Sequence, residues 1–174
     1  MRQRQFAGET HLCQECALNY LPKPRPNHRR QDPVPRVGDV QIEVERLIIS
    51  EIHDLHTIVF REVEGERRFP LSCGFFEATA LDRTLKSLSF PRPLTHEAWQ
   101  ASLTALGAIV EQARIKDLRD GIYFVDLRIR HGNKQVQVDM RPSDAVHIAW
   151  KANAPIFIND SLLSEAAGDQ SIPA

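Results

Sequence analysis

The sequence predicts an α+β domain built on a largely antiparallel sheet. Three predicted strands precede two helices, and three more strands precede a helix, a short strand and a final helical turn. Strands that follow one another along a chain usually lie side by side, and grouped helices then pack against the sheet. Apolar and polar residues alternate within several of these strands, which is typical of a strand with one buried face.

Composition limits the class of protein. The chain has 174 residues and a formal net charge of −1, a length that suits one compact domain with an appendage. Residues 1–36 hold seven Lys or Arg against three Asp or Glu, a net of +4, so the remainder carries −5. A domain that simply coats nucleic acid is usually basic. Any strong attraction for phosphate must therefore be local or come from the amino-terminal residues.

Cysteine usage and apolar runs predict a cytoplasmic protein. The three Cys form an odd, sparse set, unlike the disulfide framework of a small secreted domain. The sequence shows no run typical of a signal peptide and none of membrane-spanning length. Together these features favour a soluble protein of a reducing compartment.

Residues 1–38 are predicted to form a flexible, Pro- and Arg-rich tail. Such a polar stretch cannot bury enough apolar area to fold. Its prolines are Pro22, Pro24, Pro26, Pro33 and Pro35. Cys13 and Cys16 have the C-x-x-C spacing of half a tetrahedral zinc site, with His11 or His28 as further ligands. Because no second ligand pair follows at recognisable spacing, a reduced pair in a mobile tail is the alternative interpretation.

The folded domain is predicted over residues 39–168, and residues 169–174 are expected to fray. Its first three strands are predicted at about 40–49, 57–63 and 67–72. Pro70 has no N–H to donate to a neighbouring strand, which places the third strand at an edge of the sheet or close to a bulge.

Two helices follow this meander. Gly74 opens the first, at about 75–88, whose predicted apolar face comprises Ala78, Leu81, Leu85 and Leu88. Glu77 lies beside that face, where its carboxylate is either partly desolvated or simply favoured by the helix dipole. The second helix follows a Pro-Arg-Pro break, with Thr95 as its expected N-cap, and ends before Gly107. Its predicted buried residues are Trp99, Leu103 and Leu106.

A sharp turn links the second run of strands to the third helix. The strands are predicted at about 108–118, 122–130 and 134–140. Pro142 ends the last strand, and Ser143 is the expected N-cap of the helix. Its buried stripe comprises Ala145, Ile148, Ala149 and Ala152, and its polar stripe comprises Asp144, His147 and Lys151. This turn is predicted to gather Asp139, Arg141, Asp144 and His147. A strand at 155–158 and a helical turn capped by Ser161 complete the domain.

Three sequence blocks carry a resemblance to a known family. They lie at residues 75–81 (FFEATAL), 92–96 (RPLTH) and 139–145 (DMRPSDA), with PIF downstream at 155–157. Over about residues 40–167 the chain resembles the bifunctional nuclease (BFN, DUF151) domain. The resemblance implies an α+β domain, usually a homo-oligomer, that cleaves both DNA and RNA.

Two features depart from that family's pattern. Cys73 stands where many relatives carry an aliphatic residue, a change expected to affect packing more than chemistry. Some relatives continue into a UVR-type helical hairpin, whereas the added segment of this chain is its amino-terminal tail.

The residue types that phosphodiester hydrolysis needs are present. The reaction requires an activated water, stabilisation of charge on the phosphoryl oxygens and help for the leaving oxygen. Hard divalent cations such as Mg²⁺ take carboxylate oxygens, and the carboxylate candidates are Asp139, Asp144 and Glu77. A guanidinium can bind phosphate through two N–H groups, and the candidates are Arg92 and Arg141. An imidazole can transfer protons near neutral pH, and the candidates are His96 and His147.

Each of these residues also has a structural interpretation. Asp144 can simply favour the start of a helix, and Arg141 can pair with Asp139 or Glu77 to hold a strand against a helix. His96 can be an ordinary surface residue. The sequence contains no nuclease signature with fixed metal-ligand spacing, and it lacks the G-x-G-x-x-G, P-loop and G-x-S-x-G motifs.

The function expected from these observations is that of a cytoplasmic, metal-assisted nuclease of broad specificity. Asp139, Asp144 and Glu77 would bind metal, Arg141 and Arg92 would hold phosphate, and His96 would transfer protons. The alternative is a non-enzymatic oligomeric binding or scaffold module whose polar cluster is structural, which the net acidity of the domain favours. A third interpretation makes the C-x-x-C tail a zinc-linked contact for a partner protein.

Overall fold

A computed structural model of the protein describes residues 37–50, 55–88 and 91–168, which form an α+β domain with the predicted order of elements. The strands are β1 (Asp39–Ile48), β2 (His56–Glu62), β3 (Arg68–Cys73), β4 (Ala108–Arg119), β5 (Ile122–His131), β6 (Lys134–Met140) and β7 (Ile156–Asn159). The helices are α1 (Phe75–Leu85), α2 (Thr95–Ala105), α3 (Pro142–Lys151) and α4 (Asp160–Gly168). The predicted frayed terminus and all but the last two residues of the predicted tail lie outside the described residues.

The strands form one sheet in the order β3-β2-β1-β7-β4-β5-β6. Strand β7 pairs antiparallel with β1 and parallel with β4, and every other neighbouring pair is antiparallel. The short apolar run at Ile156, Phe157 and Ile158 is fully buried because β7 joins two three-stranded meanders at the centre of the sheet. Strand β3 is an edge strand, which confirms the position predicted from Pro70.

The sheet is strongly curved. The rings of Phe69 on β3 and Tyr123 on β5 meet edge to face, with centroids 5.2 Å apart. These strands are five steps apart in the sheet order, which in a flat sheet would be about 24 Å at about 4.8 Å per step. Irregular pairing in β1 and at two points in β4 contributes to this curvature, since bulges increase local twist. The apolar core fills the concave side, where Leu163 of α4 is also buried.

Helix α1 ends earlier than its apolar spacing predicted. Lys86 is the C-cap, and Ser87 adopts a positive φ of 55°. The N–H of Leu88 then donates to the carbonyl of Arg83 at 3.0 Å, the hydrogen bond of a Schellman motif. Leu88 is therefore exposed, and the prediction that it continues the buried face was wrong, whereas the other three residues of that face are buried.

Two predicted helix starts also differ. Leu94, not Thr95, is the N-cap of α2, and its N–H donates to Oε2 of Glu97 at 3.0 Å. At the start of α4, Asn159 Oδ1 accepts the N–H of Ser161 at 3.0 Å, so Asn159 takes the capping role predicted for Ser161. In α2 the side chain of Glu97 accepts a hydrogen bond from the N-cap backbone. In α4 the side chain of Asn159 accepts one from the first turn, so the caps differ from those that the sequence suggested.

The buried face of α2 is narrower than predicted. Trp99 and Leu103 are partly buried against the core, but Leu106 is exposed beside Gly107. Gly107 has a φ of 72°, so it ends the helix in the left-handed conformation as its position predicted. No helix within the described ranges combines the length and the apolar character that crossing a membrane requires.

We expect Phe69→Ala to lower the free energy of unfolding by about 3–5 kcal/mol, because it leaves a cavity at the contact that closes the curved sheet. Urea denaturation followed by circular dichroism measures this change. Phe76→Ala is the matched control, since Phe76 is exposed and its removal should change stability by less than about 0.5 kcal/mol. Equal stability losses for the two variants would contradict the packing described here.

Candidate functional site

The amino-terminal turns of three helices meet on one side of the domain. The first turns of α1, α2 and α3 carry Glu77, Glu97 and Asp144 respectively. Carboxylates are favoured there by the positive end of the helix dipole, which explains their local placement. Side-chain hydrogen bonds from Arg141 and His96 then tie these turns together.

Arg141 is the N-cap of α3, and its extended backbone has φ −63° and ψ 146°. Pro142 follows at the first helical position, where its fixed φ suits the helix and its missing N–H costs nothing. Ser143 therefore lies inside the first turn, and the prediction that it is the N-cap was wrong. The shift places Arg141 at the junction between β6 and α3.

The guanidinium of Arg141 bridges two carboxylates. Its Nη1 donates to Oε1 of Glu77 at 2.8 Å, and its Nε donates to Oδ2 of Asp144 at 2.8 Å. A third, longer bond runs from Nη2 to Oδ1 of Asp144 at 3.3 Å. The Arg141 side chain is 67% exposed, whereas those of Glu77 and Asp144 are 21% and 20% exposed. Of the five N–H groups of a guanidinium, two therefore have no acceptor within the described residues.

Asp144 also binds His96. Nε2 of His96 lies 2.9 Å from Oδ1 of Asp144. This hydrogen bond and the neighbouring Arg141 guanidinium outweigh partial burial and lower the pKa of Asp144 below its usual value, so the carboxylate is ionised near neutral pH. A neutral His96 then carries its proton on Nε2. Its Nδ1 has no partner within the described residues, and the His96 side chain is 19% exposed.

His147 lies behind this pair in the interior. Its ring stacks on that of His96 with centroids 4.2 Å apart, and its Nε2 lies 2.7 Å from the Thr84 hydroxyl. Burial, together with repulsion from His96 when it is protonated and from Lys151, lowers the pKa of His147 to about 3. The residue is 3% exposed, and its Nδ1 has no hydrogen-bond partner among the described residues. The sequence placed His147 on a polar stripe and considered it for proton transfer near neutral pH, and both interpretations were wrong.

Two contacts that position the site were not predicted from the sequence. Helices α1 and α3 run side by side, since Glu77 and Thr84 are seven residues apart and contact Arg141 and His147 respectively. Residues seven apart lie about two turns along the same face of a helix. The spacing of Glu77 and Thr84 could therefore have indicated that both face the same neighbouring helix.

A further ion pair fixes α2 across α3. Nζ of Lys151 donates to Oε1 of Glu97 at 2.5 Å, and this hydrogen bond lowers the pKa of Glu97 below its usual value. The pair lies near the end of α3, while His96 contacts Asp144 near its start. The first turn of α2 is therefore held along the length of α3.

Asp139 does not join the cluster. Its side chain is 69% exposed, and its Oδ1 lies 3.7 Å from Nζ of Lys116. Val138 and Met140 on either side pack toward the core, so Asp139 points to the opposite face of the sheet. The prediction that one turn gathers Asp139 with Arg141 and Asp144 was wrong. Alternation alone would put Asp139 and Arg141 on one face, but β6 ends at Met140, and Arg141 turns with the start of α3 toward Asp144.

This arrangement does not fit the three carboxylates predicted to bind a divalent cation. A guanidinium already lies between Glu77 and Asp144, and Asp139 lies apart from both. No group of three or more His, Cys, Asp or Glu within the described ranges is placed to hold a metal ion.

The other residues that the sequence singled out do not join the cluster, or they lie outside the described residues. Arg92 is exposed in the segment before α2 and makes no ion pair with a described residue. Cys73 is buried at the end of β3, and burial raises the pKa of its thiol to about 11, so it packs as an apolar residue. The tail zinc candidates lie outside the described residues, and they are His11, Cys13, Cys16 and His28.

The part of the chain that contains this cluster matches a family model. A family model described as the bifunctional nuclease domain matches residues 58–171. An uncharacterized protein of Mycobacterium tuberculosis strain H37Rv is 30% identical over 126 residues, which cover 72% of this chain and 75% of that protein. Bifunctional nuclease 1 of Oryza sativa subsp. japonica is 26% identical over 108 residues, which cover 60% of this chain and 33% of the rice protein.

We expect His147→Phe to reduce the dependence of stability on acid. His147 has a pKa of about 3 in the folded chain, against an ordinary value of 6.5. Between these values the unfolded chain binds a proton that the folded chain does not, so stability is lost as pH falls through about 6.5. The loss approaches about 1.4 kcal/mol per pH unit, and phenylalanine removes it while keeping a ring against His96.

Denaturant unfolding of both proteins at a series of pH values from neutral to about 4 measures this difference. The carboxylates with lowered pKa lose their contribution only at lower pH and do so equally in both proteins. His131→Phe, which alters an exposed histidine, should leave the wild-type slope unchanged. Parallel stability curves for His147→Phe and the wild type would show that His147 is not a buried neutral group.

Proposed function

This chain belongs to the bifunctional nuclease domain family, and on that premise we propose that it hydrolyses phosphodiester bonds in nucleic acids. The observation that supports this proposal best is the pairing of Asp144 with His96 at 2.9 Å, directly beside the exposed guanidinium of Arg141. An oriented imidazole and an exposed guanidinium are two of the groups that phosphodiester hydrolysis requires.

His96 acts as the general base. Asp144 holds the imidazole through Nε2, which leaves the lone pair of Nδ1 to accept a proton from an attacking water. The water oxygen forms its bond to phosphorus as the bond from phosphorus to the leaving oxygen breaks, and the leaving oxygen takes up a proton from solvent. The ionised Asp144 stabilises the imidazolium that forms, as a carboxylate does for the histidine of a catalytic triad.

Arg141 contacts the phosphate. Its two N–H groups that lack an acceptor among the described residues belong to Nη1 and Nη2, and they can donate to two phosphoryl oxygens. Because Glu77 and Asp144 hold the other three N–H groups, the guanidinium is oriented before substrate arrives. Arg92, exposed in the segment before α2, is a second candidate for a phosphate contact.

The net charge of the cluster predicts that the cluster by itself binds nucleic acid weakly. With His96 neutral, Glu77, Asp144 and Arg141 sum to a net charge of −1. Attraction for a polyanion must then come largely from elsewhere, and the basic residues 1–36 can supply it through salt-sensitive contacts with phosphates. Binding by the full chain should therefore weaken steeply with ionic strength.

The same proposal includes the substrates, the cellular location and the self-association of the protein. Substrates include both DNA and RNA, since neither the imidazole nor the guanidinium reads a base or a 2′-hydroxyl. The protein acts in the cytoplasm as a homo-oligomer. Strand β6 supports self-association, because it is an edge strand with an exposed Val136 and its outer backbone groups can pair with another strand. Metal dependence stays a prediction, and a chelator control tests it.

We expect His96→Gln to reduce cleavage of single-stranded DNA and RNA by about 10²–10⁴-fold, because glutamine can bond to Asp144 but cannot accept the proton. Release of a fluorophore from labelled oligonucleotides, with and without EDTA, measures the rate. His131→Gln is the matched control, since it alters an exposed histidine on β5. A folded His96→Gln protein with wild-type activity would overturn the assignment of the general base.

A second candidate function is a non-enzymatic oligomeric binding or scaffold module. The observation that favours it is that Arg141, Glu77, Asp144 and His96 are already hydrogen-bonded to one another, with a net charge unsuited to a polyanion. Arg141 would then only hold α1 against α3.

Arg141→Ala separates these two functions. It leaves two carboxylates without their shared cation, so unfolding free energy should fall by about 1 kcal/mol, a modest loss because the guanidinium is exposed. If the protein is a nuclease, cleavage is lost as well, and Arg141→Lys keeps most of the stability but not the two-point phosphate contact. If it is a scaffold, wild-type preparations show no turnover, and light scattering detects dissociation of the Arg141→Ala oligomer.

A further inference from the structure

Two aromatic side chains stand exposed beside the candidate site. Phe75 and Phe76 form the start of α1, and the two residues are 54% and 83% exposed. Glu77 comes directly after them and binds Arg141 through its carboxylate. Exposure of an apolar ring to water is unfavourable. A pair of exposed phenylalanine rings next to a polar site therefore suggests a surface that contacts a ligand.

The two rings are held in place. Phe75 packs on the buried His56 with ring centroids 5.6 Å apart, and Phe76 meets Phe75 edge to face at 5.8 Å. The hydroxyl of Thr79 donates to the carbonyl of Phe75 at 2.7 Å, which ties the exposed turn to the next one. The rings therefore offer a preorganised apolar surface that requires little ordering on binding.

We propose that Phe75 and Phe76 form a stacking platform for unpaired bases, which gives the protein a preference for single-stranded over double-stranded nucleic acid. This inference rests on the proposed function, because it extends the same site. A nucleotide combines an aromatic face with an anionic phosphate, and the first turn of α1 combines exposed rings with a carboxylate that orients an exposed guanidinium.

Duplex bases are stacked on one another and cannot offer their faces, so only unpaired nucleotides match both features. Stacking on a phenyl ring tolerates any base, which agrees with a site that reads no sequence. Of the two rings Phe76 is the more exposed, and it should contribute more of the stacking energy.

The test is equilibrium binding of the full chain, measured by fluorescence anisotropy in EDTA at low temperature. Three labelled probes are compared: a short single-stranded DNA, a strand of equal length without bases, and the corresponding duplex. We expect the wild type to bind the base-bearing strand about tenfold more tightly than the strand without bases. Phe76→Ala should remove that difference, and Phe76→Trp should keep or increase it.

Ile122→Ala is the matched control, since Ile122 is apolar and 63% exposed but lies at the start of β5. It should leave the preference for base-bearing strands unchanged. Equal binding of all three probes by the wild type would overturn the proposal. So would a Phe76→Ala protein that keeps the preference but changes oligomeric state in light scattering, since the rings would then be a self-association surface.

This test is independent of catalysis. If the proposed function fails, oligonucleotides are not cleaved, yet a stacking platform still distinguishes strands with bases from strands without them. If only the platform is absent, cleavage persists in the wild type, and Phe76→Ala leaves the ratio of single-strand to duplex cleavage unchanged.

Discussion

The guanidinium of Arg141 is the interaction on which the candidate site depends. It neutralises two carboxylates from different helices, each about one-fifth exposed, that would otherwise repel one another. By holding Glu77 on α1 and Asp144 on α3 it fixes how those helices start relative to each other. It also aligns the oxygens of Asp144 so that one can receive His96. The same group that stabilises the cluster is its most exposed member, so a structural role and a phosphate contact are compatible.

A neutral layer lies beneath this charged surface. His147 and Thr84 meet inside the domain, and burial keeps the imidazole uncharged at any pH near neutrality. A protonated His147 stacked 4.2 Å from His96 would disfavour a second positive charge on that ring. Keeping His147 neutral therefore removes a positive charge that would otherwise lie against the His96 ring. The two stacked histidines differ because His147 is buried, whereas His96 is partly exposed to water.

The distribution of the site's exposed groups supports the two proposals together. Arg141 and Phe76 are exposed, and the His96 side chain is about one-fifth exposed. Asp139, by contrast, points to the opposite face of the sheet, where it lies near Lys116. Asp139 and Arg141 are only two residues apart, yet Arg141 belongs to the candidate site and Asp139 belongs to a surface where Lys116 pairs with carboxylates. Because the local net charge of the site is negative, the proposed nuclease would rely on the basic residues 1–36 to attract a polyanion.

Periodicity and turn chemistry by themselves determined the fold class, the order of the elements and most of the core. Leu81, Ile148 and Ile158 are buried as their spacing required, since burial of an apolar face follows from helix and strand periods. The blocks that resemble the family also contain Glu77, His96, Arg141 and Asp144, whose side chains the structure brings together. What the sequence could not determine was which polar groups meet, because partners such as Glu77 and Arg141 are far apart along the chain.

Only the tertiary structure decided three matters. It buried His147, which local spacing had placed on a polar stripe, because α1 covers that side of α3. It separated Asp139 from Arg141, because β6 ends at Met140 and Arg141 turns with the start of α3 toward Glu77 and Asp144. It placed a guanidinium where the sequence suggested a metal ion. In each case the local pattern specified the chemical type of the residue, and long-range packing specified its neighbours and its contact with water.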